Sequence, residues 1–141
     1  MEGHYRKLER MYAVAPINRF YTPDLTVGEG TAEVSFDVVE PMHHSGGAMH
    51  GSVYFKALDD AAWFAVNSLV TEVFVLTARF EVTLLRPVSE GRIRAVGRVT
   101  SRGERFEAEA ELFDEQGRKV ALGRGEFVRG RAPLGPDVHY G

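Results

Sequence analysis

The sequence predicts one α+β domain, residues 1–141, in which a curved antiparallel sheet packs against one long helix. Three observations support this prediction. A single long segment combines helical periodicity with many alanines. One strand-like segment precedes it and four follow it. The breaks between the later strands are short and rich in turn-forming residues, so these strands should succeed one another in antiparallel order.

The amino-terminal part of the chain predicts a helix, a loop and a strand. Apolar residues recur there at spacings of three and four, so residues 1–15 are assigned to an amphipathic helix that Pro16 ends. Residues 22–31 contain proline and two glycines, which indicates a loop. Residues 32–40 alternate apolar and polar side chains, as a half-buried strand does.

The rest of the chain predicts the long helix and the remaining strands. Residues 51–70 carry an apolar stripe dominated by alanine, which lets another surface approach the helix axis closely. Four strands are predicted after it, at residues 73–86, 91–101, 104–114 and 119–129. Glycine and proline in residues 130–141 indicate an irregular tail.

Composition excludes several classes of function. The net charge of −3 gives no electrostatic basis for binding nucleic acid or an anionic membrane. The absence of cysteine excludes disulfides, thiolate metal sites and cysteine nucleophiles. No stretch is long and apolar enough for a membrane span, and the first residues lack the apolar segment of a signal peptide. We therefore expect a cytoplasmic protein with no nucleic-acid or membrane partner.

Residues that carry chemistry concentrate in residues 42–60, MHHSGGAMHGSVYFKALDD. The histidines and aspartates are potential metal ligands, but their spacing matches no established motif, so no metal is expected. The glycines lack the lysine and serine pattern of a nucleotide-binding loop. The third possibility is a carbonyl oxygen that develops negative charge. A free backbone N–H at a helix N-terminus stabilises such an oxygen, and Gly51 can supply it.

Spacing alone leaves two interpretations of this loop open. In the first, Gly51 lets a ligand approach the backbone closely, and His50 touches the ligand or holds the loop. In the second, the glycines only permit a tight turn, and His50 caps the helix.

Asp59 and Asp60 lie in the middle of the long helix among apolar residues. A carboxylate in such surroundings tends towards a raised pKa, which suits a base or a nucleophile. The alternative is an exposed stripe in which Lys56 pairs with one of the aspartates. Gly51 and Asp59 are eight residues apart, which is about 12 Å along one helix. Because one carbonyl group cannot contact both, a shared site needs two chains and predicts a homodimer.

The motif resembles that of the phenylacetate-degradation-type acyl-CoA thioesterases of the hotdog superfamily. The family motif reads Asn-x-x-Gly-x-x-His-Gly-Gly, with an acidic residue nine positions after the histidine. The matching positions here are His44, Gly47, His50, Gly51, Ser52 and Asp59. Residues 76–91, LTARFEVTLLRPVSEG, are similar to a second segment of that family. The two segments together are fairly specific, whereas either alone is weak.

The resemblance implies a fold, a reaction and a set of roles. The hotdog fold wraps a curved antiparallel sheet around one central helix and forms homodimers, often paired into tetramers. Asp59 would act as nucleophile or general base, and the Gly51 N–H would polarise the thioester carbonyl of an acyl-CoA. His50 would orient the loop or contact the substrate, and Thr77 would help to hold Asp59 or the attacking water. No cofactor is implied.

Five further residues are candidates for substrate binding. His44 replaces the family asparagine, and Ser52 replaces the second glycine of His-Gly-Gly. Together with Gly47, they are expected near the thioester. Trp63 is a candidate wall of the acyl pocket, and Arg86 is a candidate partner of a CoA phosphate.

Three questions stay open on the sequence alone. Asp60 has no role in the family, and we expect it to be solvated. The acyl group cannot be deduced. The alternative to an enzyme is a non-catalytic acyl-CoA-binding module of the same fold, in which Asp59 is a structural helix residue.

Overall fold

The computed structural model describes residues 1–141. Its helices are α1 (Glu2–Val14), α2 (Asn18–Tyr21) and α3 (Gly51–Asn67). Its strands are β1 (Asp24–Gly28), β2 (Thr31–Val38), β3 (Val73–Leu84), β4 (Gly91–Ser101), β5 (Arg105–Phe113) and β6 (Lys119–Pro133). Two short 3₁₀ turns lie at Glu40–Met42 and Pro136–Val138.

The six strands form one antiparallel sheet in the order β1-β2-β4-β5-β6-β3. The long helix α3 crosses this sheet and packs against all of its strands, least against β1. The alanine stripe of α3 faces the core, and Ala57, Ala61 and Ala65 are at most 1% exposed. This architecture confirms the predicted antiparallel sheet wrapped around one central helix.

The helix α3 approaches strand β4 closely at Gly97. A Cβ added to Gly97 would lie 2.4 Å from the carbonyl carbon and oxygen of Ala61 and 2.7 Å from the nitrogen of Ala62. These are backbone atoms in the middle of α3, so they cannot rotate away. Gly97 therefore sets how closely the helix sits on the sheet.

We expect Gly97→Ala to destabilise the fold by about 3 kcal/mol, the upper end of the usual cost of overpacking, because relief of the overlap requires α3 to move off the sheet. Urea unfolding followed by circular dichroism measures this loss. Gly103→Ala, between β4 and β5, is the matched control, since its nearest neighbour would be 3.7 Å away. Equal stability of the two variants would contradict this account of the helix–sheet contact.

The prediction of a simple loop at residues 22–31 is wrong, because this segment contains β1. The strand pairs with β2 along its whole length, and Val27 is 2% exposed. The hairpin turns at Gly30, whose φ of +67° favours glycine. Turn-forming residues flank this five-residue strand on both sides, so they hide its short alternation of apolar and polar side chains.

The segment RPVSEGR, residues 86–92, is not the hairpin turn that its composition indicates. Strand β3 pairs with β6 instead of β4 and forms the far edge of the sheet. The segment crosses towards β4 near the start of α3, where the Val88 carbonyl accepts a hydrogen bond from Met49 N–H (2.8 Å). The other two predicted turns do join paired strands: SRGE, residues 101–104, joins β4 to β5, and DEQGR, residues 114–118, joins β5 to β6.

The predicted irregular tail, residues 130–141, is partly regular, because β6 continues to Pro133. The remainder docks against the amino-terminal helix. The Tyr140 hydroxyl bonds to Nδ1 of His4 (2.7 Å), and Nε2 of His4 donates to the Asn67 carbonyl oxygen (2.8 Å). The two ends of the chain therefore meet at the carboxyl end of α3. No helix of the protein combines the length and the apolar character that crossing a membrane requires.

Candidate active site

The first turn of α3 presents a free backbone donor at Gly51. His50 is the N-cap, and its Nδ1 accepts a hydrogen bond from Ser52 N–H (3.0 Å). The Ser52 hydroxyl lies 2.9 Å from the same Nδ1. The first N–H groups of a helix have no intrahelical acceptor, and the Gly51 N–H has none in the loop or cap either. His50 thus satisfies one orphan donor of the helix and leaves the neighbouring one for a ligand.

The loop before α3 is held in shape by His44 and Gly47. The Nδ1 of His44 accepts from Gly46 N–H (2.9 Å), and its carbonyl accepts from Gly47 N–H (3.0 Å). The φ of Gly47 is +82°, a conformation that favours glycine. The backbone N–H of His50 donates to the Met42 carbonyl (2.8 Å), which closes the loop. The hydrogen bonds of His44 are therefore made within the loop and stabilise its conformation.

A cavity of about 320 Å³, here called the Gly51 cavity, opens beside the start of α3. His44, Gly51 and Arg86 all line it, so the structure brings together three of the predicted site residues. The Tyr54 hydroxyl donates to the Arg86 carbonyl (2.7 Å) and so ties the segment after β3 to α3. No carboxylate pairs with the Arg86 guanidinium within the chain, which leaves it available to an anionic ligand.

A second cavity, of about 400 Å³ and here called the Asp59 cavity, lies further along α3. It brings together Asp59, Thr77 and Trp63, three of the predicted site residues. The Thr77 hydroxyl donates to Asp59 Oδ1 (3.0 Å), and no donor of the protein reaches the other carboxylate oxygen. Trp63 is fixed by a hydrogen bond from its Nε1 to the Val75 carbonyl (2.9 Å). The remaining lining is mostly apolar and comes from α1, α2, α3, β3 and the tail.

The surroundings of Asp59 raise its pKa to about 6, from 3.8. Burial contributes most, and the nearby negative charge of Asp60 adds to it. The hydrogen bond from Thr77 and the positive charge of Lys56 act in the opposite direction. Asp59 is therefore ionised at neutral pH but remains a much better proton acceptor than an ordinary aspartate.

We expect Thr77→Val to move the pH dependence of catalysis upwards. Loss of the Thr77 hydrogen bond raises the pKa of Asp59 further, so less of the base is ionised near pH 6. Activity should fall several-fold at pH 6 and much less at pH 8, because a base with a pKa near 6 is fully ionised there. Rates measured across this range test the expectation. Thr77→Ser keeps the hydroxyl and is the control; an unshifted profile for Thr77→Val would contradict the assignment.

Asp60 is not solvated, contrary to the prediction. Its Oδ2 accepts hydrogen bonds from Lys56 Nζ (2.5 Å) and from the Tyr12 hydroxyl (2.6 Å), and only 20% of its side chain is exposed. Burial, and then the negative charge of Asp60, strongly raise the pKa of Tyr12, so that its hydroxyl stays protonated. Lys56 therefore pairs with Asp60 and leaves Asp59 without an ion-pair partner.

Three residues that line the Asp59 cavity were not among the predicted site residues: Tyr12, Asn18 and Lys56. Tyr12 belongs to the apolar stripe of the amino-terminal helix, which indicates core packing, and Asn18 follows a proline in a segment with no periodicity. The one available signal was the spacing of four between Lys56 and Asp60, which places them on the same side of α3. No group of three or more histidine, cysteine, aspartate or glutamate side chains forms a metal-binding cluster.

Gly51 and Asp59 do not meet within one chain. Gly51 lines the cavity at the start of α3 and not the Asp59 cavity, whereas Asp59 lines the cavity bounded by α1 and α2 and not the Gly51 cavity. Each chain therefore carries a donor and a carboxylate on one helix but in different cavities.

Three comparisons with known proteins bear on this site. A family model described as the thioesterase superfamily matches residues 46–121. A candidate esterase from Sulfurisphaera tokodaii is 31% identical over 101 residues, which cover 70% of this chain and 74% of that protein. A second candidate esterase, from Saccharolobus solfataricus, is 34% identical over 78 residues. That match covers 55% of this chain and spans about half, 52%, of the length of the relative.

The fold is that of a known solved structure. The E. coli PaaI protein from the phenylacetic acid degradation operon superposes with a TM-score of 0.85 at 23% identity, over 94% of this chain and 96% of that one. At this level of identity the likeness concerns the fold alone. This likeness confirms the predicted hotdog architecture. The range that matches the family model, residues 46–121, includes Gly51, Asp59, Thr77 and Arg86.

Proposed function

Because the chain belongs to the thioesterase superfamily, we propose that it hydrolyses an acyl-CoA thioester to a carboxylate and free CoA. The observation that carries this proposal is the environment of Asp59. One of its carboxylate oxygens is held by Thr77, the other is free, and its pKa is raised to about 6 in a largely apolar cavity. Such a group is suited to attack, or to deprotonate a water beside, a bound carbonyl.

The Gly51 N–H is proposed to bind the thioester carbonyl oxygen. As the carbonyl carbon becomes tetrahedral, this oxygen gains negative charge. The unpaired N–H and the positive end of the α3 dipole then stabilise it more than they stabilise the neutral carbonyl. The space beside Gly51 is open to the thioester, since the nearest atom to an added Cβ would be Leu84 Cδ1 at 4.0 Å.

Asp59 can complete the reaction in two ways. As a general base, it takes a proton from water, and the hydroxide attacks the carbonyl carbon. Collapse of the tetrahedral intermediate breaks the C–S bond, and the CoA thiolate takes up the proton that Asp59 removed from the water. As a nucleophile, Asp59 itself displaces the thiolate, and water then hydrolyses the mixed anhydride. Both routes consume one water and release one carboxylic acid and one thiol.

The two cavities suggest how the substrate divides between them. The Asp59 cavity is mostly apolar and suits the acyl group. The Gly51 cavity carries Arg86, which suits the CoA side, where phosphates need cations. Arg79 and Arg105 are poorer candidates, because both pair with Glu126. The loop that presents the Gly51 donor would then be shaped by the other predicted residues, His44, Gly47, His50 and Ser52.

The active unit is proposed to be a homodimer in which Gly51 of one protomer meets Asp59 of its partner. The rise of α3 separates the two residues by about 12 Å within a chain. Strand β3 leaves one edge of the sheet unpaired, and Leu76, Leu84 and Leu85 are half-exposed along and just after it. Unpaired apolar edges favour pairing with a second copy. The pairing of dimers into a tetramer stays a prediction.

Mixed dimers test the reaction and the shared site together. Co-expression of Asp59→Asn and Gly51→Pro chains with different tags allows purification of the heterodimer. One of its two sites then combines an intact Asp59 with an intact Gly51, so it should have about half the wild-type activity. Both homodimers should release free thiol from an acyl-CoA panel at least about 10²-fold more slowly than wild type. An inactive heterodimer would refute the shared site, and binding without turnover by wild type would favour a non-catalytic acyl-CoA-binding module.

A further inference from the structure

A buried ionic network lies beside Asp59 and takes no part in the proposed reaction. Lys56 Nζ contacts Asp60 Oδ2 (2.5 Å) and lies 3.4 Å from the Tyr12 hydroxyl oxygen, which itself donates to Asp60 Oδ2 (2.6 Å). Only 9% of the Lys56 side chain and 20% of the Asp60 side chain are exposed. Buried charges are costly unless they are paired and hydrogen-bonded, so Lys56 and Asp60 depend on each other.

Two aromatic rings flank the Lys56 ammonium. It lies 5.1 Å from the ring centre of Tyr12 on α1 and 4.9 Å from that of Tyr21 on α2. Both rings attract the cation, and Tyr12 also accepts a hydrogen bond from it. Asp59 is only three residues from Lys56 along α3, yet Lys56 pairs with Asp60. The two amino-terminal helices therefore direct this lysine to one of two adjacent carboxylates.

Asp59 has a different set of neighbours. Its side chain accepts a hydrogen bond from the Thr77 hydroxyl (3.0 Å) and has no ion-pair partner. The other charged or titratable side chains that line the Asp59 cavity are Lys56 and Asp60 on α3, Tyr12 on α1 and His139 in the tail. None comes from α2 or β3. Lys56 is thus the only lysine or arginine of this cavity, and its charge is paired with Asp60.

We propose that Lys56 is a positioning residue that decides which of the two adjacent aspartates is the reactive one. It binds Asp60 as its ion-pair partner and so leaves Asp59 as the carboxylate that acts on water or on the carbonyl. Without Lys56, two neighbouring carboxylates would face one largely apolar cavity, where like charges at close range oppose each other and a proton is shared between them. The inference rests on the proposed function, because it concerns the same reactive group.

The influence of each charge on Asp59 agrees with this arrangement. Burial raises the pKa of Asp59 most, the charge of Asp60 raises it further, and the charge of Lys56 lowers it. The two charges of the pair therefore oppose each other at Asp59. Removal of one of them should move the pH dependence of the reaction in one direction, and removal of both should bring it back.

The experiment compares the pH profile of kcat/KM for wild type, Lys56→Met, Asp60→Asn and the double variant, with the best substrate of an acyl-CoA panel. Lys56→Met should move the midpoint upwards by about one pH unit, the usual effect of losing a nearby opposite charge. Its rate should therefore fall several-fold at pH 6 and little at pH 9. Asp60→Asn should move the midpoint downwards, and the double variant should lie between the two single variants. A double variant whose midpoint stays with that of Lys56→Met would overturn the inference.

Further variants separate charge from packing. Lys56→Arg keeps the charge and should keep the wild-type midpoint, and a shift as large as that of Lys56→Met would overturn the inference. Lys119→Met is the matched control, because Lys119 pairs with Glu111 and lines neither cavity. His139→Gln in each background removes any contribution of the tail imidazole to the profile.

The comparison of Asp60→Asn with the double variant gives the effect of Lys56 even if Lys56→Met does not fold. The two proteins differ only at position 56, and the double variant should have the higher midpoint. Equal midpoints would overturn the inference, because a residue that acts only by packing would lower the rate without moving the profile.

A titration that needs no substrate separates this inference from the proposed function. ¹³C NMR of the aspartate carboxyl groups, assigned with Asp59→Asn, follows the Asp59 proton in each variant. The expected order of midpoints, without thiol release by wild type from any acyl-CoA, would refute hydrolysis and keep the role of Lys56. Thiol release with the same Asp59 midpoint in all variants would do the reverse. Equal midpoints and no thiol release would refute both.

Discussion

Replacement of Asp59 by asparagine is expected to lower kcat/KM for thioester hydrolysis by about 10²- to 10⁴-fold, the usual contribution of a positioned base. Asparagine keeps the size of the side chain and can still accept the hydrogen bond from Thr77. It can neither take a proton from water nor attack a carbonyl. Release of free thiol from acyl-CoA measures the loss.

Asp60→Asn is the matched control for this loss. It removes a neighbouring charge on the same helix turn and keeps the shape of the side chain. Because the charge of Asp60 raises the pKa of Asp59, its removal should move the pH profile to lower pH and leave a functional base. A larger loss of activity for Asp60→Asn than for Asp59→Asn would show that Asp60, and not Asp59, is the base.

The same Asp59→Asn change should stabilise the fold at neutral pH. The pKa of Asp59 is raised from 3.8 to about 6 on folding, so the folded state holds its proton more tightly. Stability therefore falls as pH rises through this window, and the full cost is present above about pH 6. Two pKa units correspond to about 3 kcal/mol, and partial exposure reduces this to about 1–2 kcal/mol.

Unfolding free energies of both proteins at pH 4 and pH 8 measure this effect. The gain from asparagine should be larger at pH 8, because the wild-type carboxylate is charged there. A gain of equal size at both pH values would mean that the burial of Asp59 carries no electrostatic cost.

Gly51→Pro is expected to reduce kcat/KM by about 10²- to 10³-fold, which is the usual effect of losing one oxyanion donor. Proline removes the N–H but suits the first position of a helix, where its fixed φ is favourable. The preceding residue, His50, has φ −63° and ψ 148°, an extended conformation that a following proline also favours. The substitution thus deletes one donor with little disturbance of α3.

Gly51→Ala is the control that separates the donor from the shape of the site. Alanine keeps the N–H, and an added Cβ would meet only Leu84 Cδ1 at 4.0 Å. It should retain most of the activity that proline removes, and circular dichroism should report intact helix in both variants. Equal losses in the two would show that space beside the carbonyl matters and the N–H does not.

The fold could be predicted in large part because the residue pattern that indicates each helix or strand lies within that helix or strand. The helical period and alanine stripe of residues 51–70 identify α3, which ends three residues earlier, at Asn67. Strand-like segments bounded by turn-forming residues identify five of the six strands, and the alternation is clearest in β2. Strand pairing is a long-range property, so the connection after β3 was misread as a hairpin. The strand β1 was missed because five residues carry too little alternation between turn-forming neighbours.

The site divides in the same way. Gly51, Asp59 and Thr77 follow from a motif whose spacing is visible in the sequence, and the structure joins Thr77 to Asp59 directly. Tyr12 and Asn18 reach the cavity only because α1 and α2 fold back over α3, and sequence distance hides this. Asp60 was expected in solvent because its partner Tyr12 lies 48 residues away.

Part of the wall of the Asp59 cavity lies on stretches of the chain that are separate from the one that carries Asp59. Gly51, Asp59 and Thr77 fall within the residues that match the family model, 46–121, whereas the wall from α1, α2 and the tail falls outside them. Mutations in the amino-terminal segment can therefore resize or repolarise the cavity without touching α3 or its cap. Under the proposed function, acyl selectivity and chemistry can therefore change separately during evolution, because they rest on different segments of the chain.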